Sequence, residues 1–283
     1  MSVCNILTLD IEDWYQSSLD ILDQHDHGPV PPTERVITNT RHLLALLAEY
    51  NIHATCFLLG TVTESFPNLV QEIQTAGHEV ATHGYGHELV YRLTPGRFRA
   101  DVRRSIESLE NIAGQKVRGY RAPYFSITSK SVWALEILAE LGIEYDSSIF
   151  AIRRKLYGFP GQESFPHNIH TVAGDLHELP ISTIRMMGQN FPVGGGGYFR
   201  LLPYAFIKRT IQAINRKGQP AVFYLHPYEL DTEELSHPLL GETWKTRFVR
   251  MGQGLNRDRV ERKLRSLLMD FEWTSVREWE GRK

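Results

Sequence analysis

His83 and His87, with three residues between them, can turn two imidazoles onto one metal ion from a single stretch of chain. The chain has 12 histidines, many of them expected at the surface, so the spacing alone does not decide the matter. Asp10, Glu12 and Asp13 add weight, as three carboxylates close together near the N-terminus. On a strand, positions i and i+2 share a face, so Asp10 and Glu12 can serve one site, and Asp13 can join if the chain turns at once. Either Glu12 or Asp13 could then complete a two-histidine, one-carboxylate metal set, with Glu12 favoured by alternation. Such a set leaves positions open for water and substrate. It suits Zn2+ and accepts Co2+, Ni2+ or Fe2+.

Amide hydrolysis needs a nucleophilic water, stabilisation of charge on the tetrahedral oxygen and a proton for the departing amine. A divalent metal serves the first two needs. An ionised carboxylate beside a guanidinium can act as base, and a histidine beside a carboxylate as acid. Asp10, Arg121, Asp146 and His226 are the residues of those types at predicted strand ends. Structural ion pairing is the competing reading for Arg121 and Asp146, and a satisfied strand-end histidine for His226. Tyr85, Glu178 and Glu229 also fall near strand ends and read as supporting groups.

Strands must carry these residues to one rim. Short apolar, β-branched runs occur at Val3–Asp10, His53–Leu59, His78–Thr82, Val117–Arg121, Ile143–Asp146, Leu176–Ile181, Ala221–His226 and Trp273–Val276. Segments of helical period separate most of them: Thr38–Tyr50, Ser65–Ala76, Phe98–Ala113 and Ser129–Leu141, the last three followed by glycine. The pattern predicts an α/β fold, a distorted or incomplete (β/α) barrel of seven or eight parallel strands with its metal site at the C-terminal rim. Ala151–Gly174, Met186–Arg200 and Asp231–Arg257 read as irregular. Gly194–Gly197 is a run of glycines with no GK[ST] after it and no visible helix start, which predicts an active-site loop with close backbone approach and not a phosphate cradle.

The chain has 283 residues, 42% hydrophobic and 23% charged, enough for a buried core without staples. A formal net charge of −2 offers no global attraction for nucleic acid or anionic membrane. No apolar run approaches the roughly 20 residues of a membrane span. Cys4 and Cys56 fall in neighbouring predicted strands and read as buried free thiols. With no leader-like start, the expected location is cytoplasmic.

Taken in order, LDIEDW, HATCFLLG, AGHEVATHGYGH, RGYRAPYFS, EYDSSIF, HELPIST and YLHPYELD resemble the polysaccharide deacetylases of carbohydrate esterase family 4, the NodB-homology group. The likeness covers about residues 5–230 and is greatest to the branch found with exosortase and exopolysaccharide loci. It implies a single catalytic domain over 1–283, with 231–283 a family-specific C-terminal extension closing the barrel. The implied activity is metal-dependent removal of acetate from an N-acetylated amino sugar of a glycan. The resemblance makes Asp10 the general base, oriented by Arg121, and His83 and His87 metal ligands. It makes the Tyr124 backbone N–H the oxyanion donor and His226 the general acid, with Asp146 as its partner. In most of the family the ligand carboxylate directly follows the base; here Ile11 stands there, so Glu12 or Asp13 must serve. Ser147 and Ser148 occupy the place of an aromatic usual after the Asp of EYDSSIF, leaving Trp14, Tyr124, Phe125 or Tyr198 to stack on a sugar. The alternatives are an allantoinase-like hydrolase of a small cyclic or linear amide, and a non-catalytic glycan-binding protein.

Overall fold

The computed structural model describes residues 3–19, 30–154, 156–233 and 243–282. Its framework is β1 (Asn5–Ile11), β2 (Thr55–Leu58), β3 (Glu79–Thr82), β4 (Gly119–Tyr120), β5 (Tyr145–Asp146), β6 (His167–Thr171), β7 (Gly174–Glu178), β8 (Thr183–Met186), β9 (Gln189–Pro192), β10 (Val222–Leu225) and β11 (Trp273–Thr274). The main sheet runs β10–β1–β2–β3–β4–β5–β7–β6, with β11 also on β1. Pairing is parallel from β10 through to β7, and β6 turns back antiparallel at the edge. This curled, mostly parallel sheet is the incomplete barrel expected from the alternation of strand and helix patterns.

Period-2 alternation assigns the two faces of the sheet. Leu7, Leu9, Ile11, Cys56, Leu58, Val80, Phe223 and Leu225 point outward into the core shared with the helices. Ile6, Phe57, Ala81, Tyr145, Val222 and Tyr224 form a second cluster inside the curl. Both faces are covered, which is why β1 is buried along its whole length. Thr8 and Asp10 share the inner face with Ile6. The sheet itself therefore points Asp10 into the barrel.

The helices follow their sequence cues with modest shifts. Arg35–Ala48 buries Val36, Leu43, Leu46 and Leu47. Pro95–Ala113 starts three residues before the expected Phe98, because Pro95 takes the first helical position and the Thr94 hydroxyl accepts from the Arg97 N–H. It ends at Gly114, whose φ is 64°.

Three expected irregular stretches contain regular structure. β6, within Ala151–Gly174, pairs with β7 as a hairpin. β8 and β9 form another hairpin across Met187 and Gly188, both at positive φ. Helix Gly196–Leu201 opens directly on the glycine run, where no helix was expected. Helix Trp244–Gly254 occupies much of Asp231–Arg257, and the part of that stretch over 234–242 lies outside the described residues.

The glycine run lies where the sheet edges meet. The Leu179 N–H donates to the Asp146 carbonyl and the Ser182 N–H to that of Val222, and the Tyr224 N–H donates to the Gly194 carbonyl at 2.7 Å. A Cβ on Gly195 would lie 1.8 Å from the Tyr224 carbonyl oxygen, and its φ is 124°. Close backbone approach is the observed reason for glycine there. Among the described residues no helix is long and apolar enough to cross a membrane, and Cys4 and Cys56 are both free.

Candidate active site

Asp10, on the inner face near the end of β1, accepts a hydrogen bond from Arg121 Nη1 at 2.6 Å. Arg121 follows β4 and is wholly buried. The same Nη1 reaches Thr8 Oγ1 at 2.8 Å, while Nε and Nη2 donate to the carbonyl and hydroxyl oxygens of Ser147 at 3.1 and 2.8 Å. Its guanidinium lies 4.2 Å from the Phe57 ring centre. A planar fork held at this many points aims a charge at Asp10 that Lys could not reproduce.

Glu12, two residues beyond Asp10, meets both histidines after β3. Its Oε2 lies 3.6 Å from His83 Nε2 and 2.7 Å from His87 Nε2, with all three side chains buried. His83 Nδ1 is 2.8 Å from the carbonyl oxygen of Arg121, which can only accept, so Nδ1 carries a proton and Nε2 is the nitrogen turned toward Glu12. Glu12 Oε2 is buried and finds no hydrogen-bond donor of good geometry. Two imidazole nitrogens and a carboxylate oxygen brought this close and buried fit a divalent metal. Burial pushes the Glu12 carboxyl up, but His87, His83 and His226 outweigh it and hold the group well below the usual carboxylate range.

The histidine loop is itself anchored. Asp101, from helix Pro95–Ala113, accepts the N–H groups of Tyr85 and Gly86 at 2.9 and 3.2 Å. His87 takes a left-handed conformation with φ 59°. Nothing in the spacing of His83 and His87 pointed to Asp101; only the helix period that turns it toward the loop could have done so.

His226 follows β10 across the cavity. Its Nε2 lies 3.5 Å from Glu12 Oε1 and 3.9 Å from Asp10 Oδ2, and its ring stacks on Tyr228 with centres 4.7 Å apart. Nδ1 contacts Glu229 Oε1 at 2.6 Å. Burial pulls the imidazolium down, but the Glu229 hydrogen bond and the nearby carboxylates win, and its pKa is raised.

The structure corrects two expectations for this site and one for sugar stacking. Asp146 is not the partner of His226: it bonds Ser148, and burial lifts both it and Glu178, which lies beside it, toward the protonated form. It sits on β5, far along the sheet order from β10, whereas Glu229 lies one turn beyond His226. Asp13 lies away from the metal set, because its Oδ2 accepts the Thr33 N–H at 2.6 Å and its Oδ1 the Thr33 hydroxyl at 3.2 Å. Trp14 is only 1% exposed, packed with Tyr15, Val30 and Tyr228, so it cannot stack on a sugar. Tyr124 and Phe125 do line the cavity, Tyr124 in a left-handed conformation with its ring 5.2 Å from that of His87. The cavity, of about 180 Å3, joins Asp10, Glu12, His83, His87, Tyr124 and His226 in one space.

Residues 20–145 match the family model described as polysaccharide deacetylase, while residues 147–280 match a domain of unknown function, DUF3473. The site draws on both segments and on β1, which precedes them. The peptidoglycan-N-acetylglucosamine deacetylase of Bacillus cereus is 34% identical over 98 residues, 34% of this chain and 36% of that protein. The peptidoglycan deacetylase of Helicobacter pylori is 33% identical over 107 residues, 38% of this chain and 36% of that one. The chain thus spans little more than a third of the length of these relatives. Among solved structures, a Mycobacterium smegmatis protein assigned to the polysaccharide deacetylases superimposes with TM-score 0.62 at 21% identity, covering 99% of this chain and 90% of that one. Puue allantoinase superimposes with TM-score 0.62 at 14% identity, covering 98% of this chain and 88% of that one. These likenesses show the barrel fold.

Proposed function

We propose that the protein removes the acetyl group from the nitrogen of an N-acetylhexosamine unit in a glycan or glycan precursor, releasing acetate. The observation that carries this reading is the convergence of Glu12, His83 and His87 beside the Asp10–Arg121 pair and opposite His226. In it, Glu12, His83 and His87 hold a divalent metal, Zn2+ before Co2+, Ni2+ or Fe2+ for two imidazoles and a carboxylate. When bound, the metal supplies Lewis acidity and an activated water. Asp10 accepts the proton of the attacking water, and Arg121 keeps the carboxylate aimed at it. The Tyr124 backbone N–H steadies the developing oxyanion. His226, protonated and held by Glu229, gives a proton to the departing amine, which is too basic to leave as an anion.

The reading treats residues 1–283 as one catalytic unit, with 231–283 as an extension that closes the barrel. Support comes from the sheet, in which β10 and β1 are neighbours although far apart in sequence. The proposed setting is exopolysaccharide assembly in the exosortase-associated branch, on the opening Asp10-Ile11-Glu12-Asp13-Trp14. The free thiols of Cys4 and Cys56 are consistent with a reducing compartment such as the cytoplasm.

Acetate release should be followed over a panel of N-acetylglucosamine oligomers, O-acetylated sugars and small cyclic amides including allantoin. The proposal expects acetate together with a new free amine from the N-acetyl oligomers. Release from O-acetyl sugars only, or turnover of allantoin only, would overturn it.

A further inference from the structure

Near the catalytic cavity lies a cleft of about 790 Å3 between residues 151–154, residues 160–165, the β8–β9 hairpin and the end of helix Tyr204–Asn215. Arg153, Arg154, Arg185 and Lys217 line it, and no carboxylate does. Some exposed arginines elsewhere face acids: Arg41 pairs with Glu72, Arg97 with Glu88 and Arg104 with Glu64. Among the described residues none of the four cleft cations has such a partner. Four like charges gathered without counter-ions repel one another, and that arrangement is relieved by an anionic ligand.

The rest of the lining suits a sugar. Phe191 is 42% exposed, Phe165 lines the cleft with Lys217 Nζ 5.6 Å from its ring centre, and Gln162 and Gln189 carry amides able to bond hydroxyl groups. The cations come from three separate elements, which spreads positive charge along the cleft and does not focus it on one point. A chain of hydrogen bonds links the cleft to the active site. Arg154 Nε donates to Tyr198 Oη at 3.0 Å, Tyr198 Oη lies 2.7 Å from Tyr157 Oη, and Tyr157 lines the cavity that holds Asp10 and Glu12.

We propose that this cleft binds an acidic segment of the glycan, sugar units bearing carboxylates, adjacent to the unit that is deacetylated. The inference rests on the proposed deacetylation for the identity of the neighbouring unit only, and its test does not need turnover.

The full chain should be titrated with hexagalacturonate, with uncharged cellohexaose and with inorganic diphosphate. Hexagalacturonate should bind about tenfold tighter than cellohexaose at low salt, a gap that closes as salt screens the charges. The double variant Arg153→Gln/Arg185→Gln should lose that advantage, while its acetate release from a neutral N-acetylglucosamine oligomer stays within about twofold, since a neutral oligomer carries no carboxylate for these cations to attract. His83→Ala should keep the hexagalacturonate affinity, so a failure of the deacetylase reading leaves this result standing. Equal affinity for the two hexasaccharides, or an undiminished preference in the double variant, would overturn the proposal. So would binding of diphosphate without binding of hexagalacturonate.

Discussion

His226 Nδ1 lies 2.6 Å from Glu229 Oε1, three residues further along the same turn, while its Nε2 faces the cavity toward Asp10 and Glu12. One nitrogen is committed to a carboxylate, and the other is left to exchange a proton. The buried Glu229 contact thus sets both the orientation of the ring and its charge.

Glu229→Gln removes a charge that raises the His226 pKa. An acid is active while protonated, so the high-pH limb of the kcat profile should move to lower pH. The linkage has the same sign: with its folded pKa raised, His226 adds stability below the ordinary histidine range and loses it as pH rises through the raised value. The variant should therefore show a flatter dependence of Tm on pH across that window. An unmoved high-pH limb would exclude Glu229 as the partner.

Asp13→Ala and Glu12→Ala should separate. Asp13 is buried and satisfies the Thr33 N–H, so its loss should cost about 1–3 kcal/mol of stability with metal content retained. Glu12→Ala should lose the metal instead. Metal analysis and thermal denaturation of the two variants would distinguish them, and loss of metal from Asp13→Ala would revise the ligand set.

Much of this division was legible beforehand. Alternation along β1 favoured Glu12 over Asp13, and the strand-end rule brought Asp10, His83, Arg121 and His226 to one rim. What was not legible depended on contacts remote in sequence. Asp146 resembled a partner for His226 by type, but the sheet order separates their strands. Glu229 sits in plain view in HPYEL, yet only the turn after β10 shows that its carboxylate comes back to His226. The β8–β9 turn was hidden because Met187, a residue that rarely tolerates positive φ, occupies its first central position. The helix at Gly196 was masked by glycines whose purpose is the close approach to Tyr224.

Gly195→Ala tests that approach. Its φ and the 1.8 Å contact that a Cβ would make with the Tyr224 carbonyl leave no room for adjustment without displacing β10. Stability should fall by about 3 kcal/mol or more, since backbone must move on both sides of the seam. Denaturant titration would measure it. A fall within about 0.5 kcal/mol, as at ordinary surface positions, would show that the seam yields more easily than its packing implies.

Asp10→Asn keeps size while removing proton acceptance. Metal should remain bound, kcat should fall by about 10²–10⁴-fold, and stability should drop as buried Arg121 loses its counter-ion. Retained turnover on an N-acetyl substrate would move the base elsewhere.

The most direct test is to measure bound divalent metal and acetate released from an N-acetylglucosamine oligomer on the same samples of wild-type protein, chelator-treated protein and His83→Ala. The account predicts about one ion per chain, bound by three protein ligands. It predicts that acetate release is lost on chelation and restored by added metal, and that His83→Ala folds but lacks both metal and activity. Undiminished acetate release from the chelated protein, or from a folded His83→Ala, would contradict it.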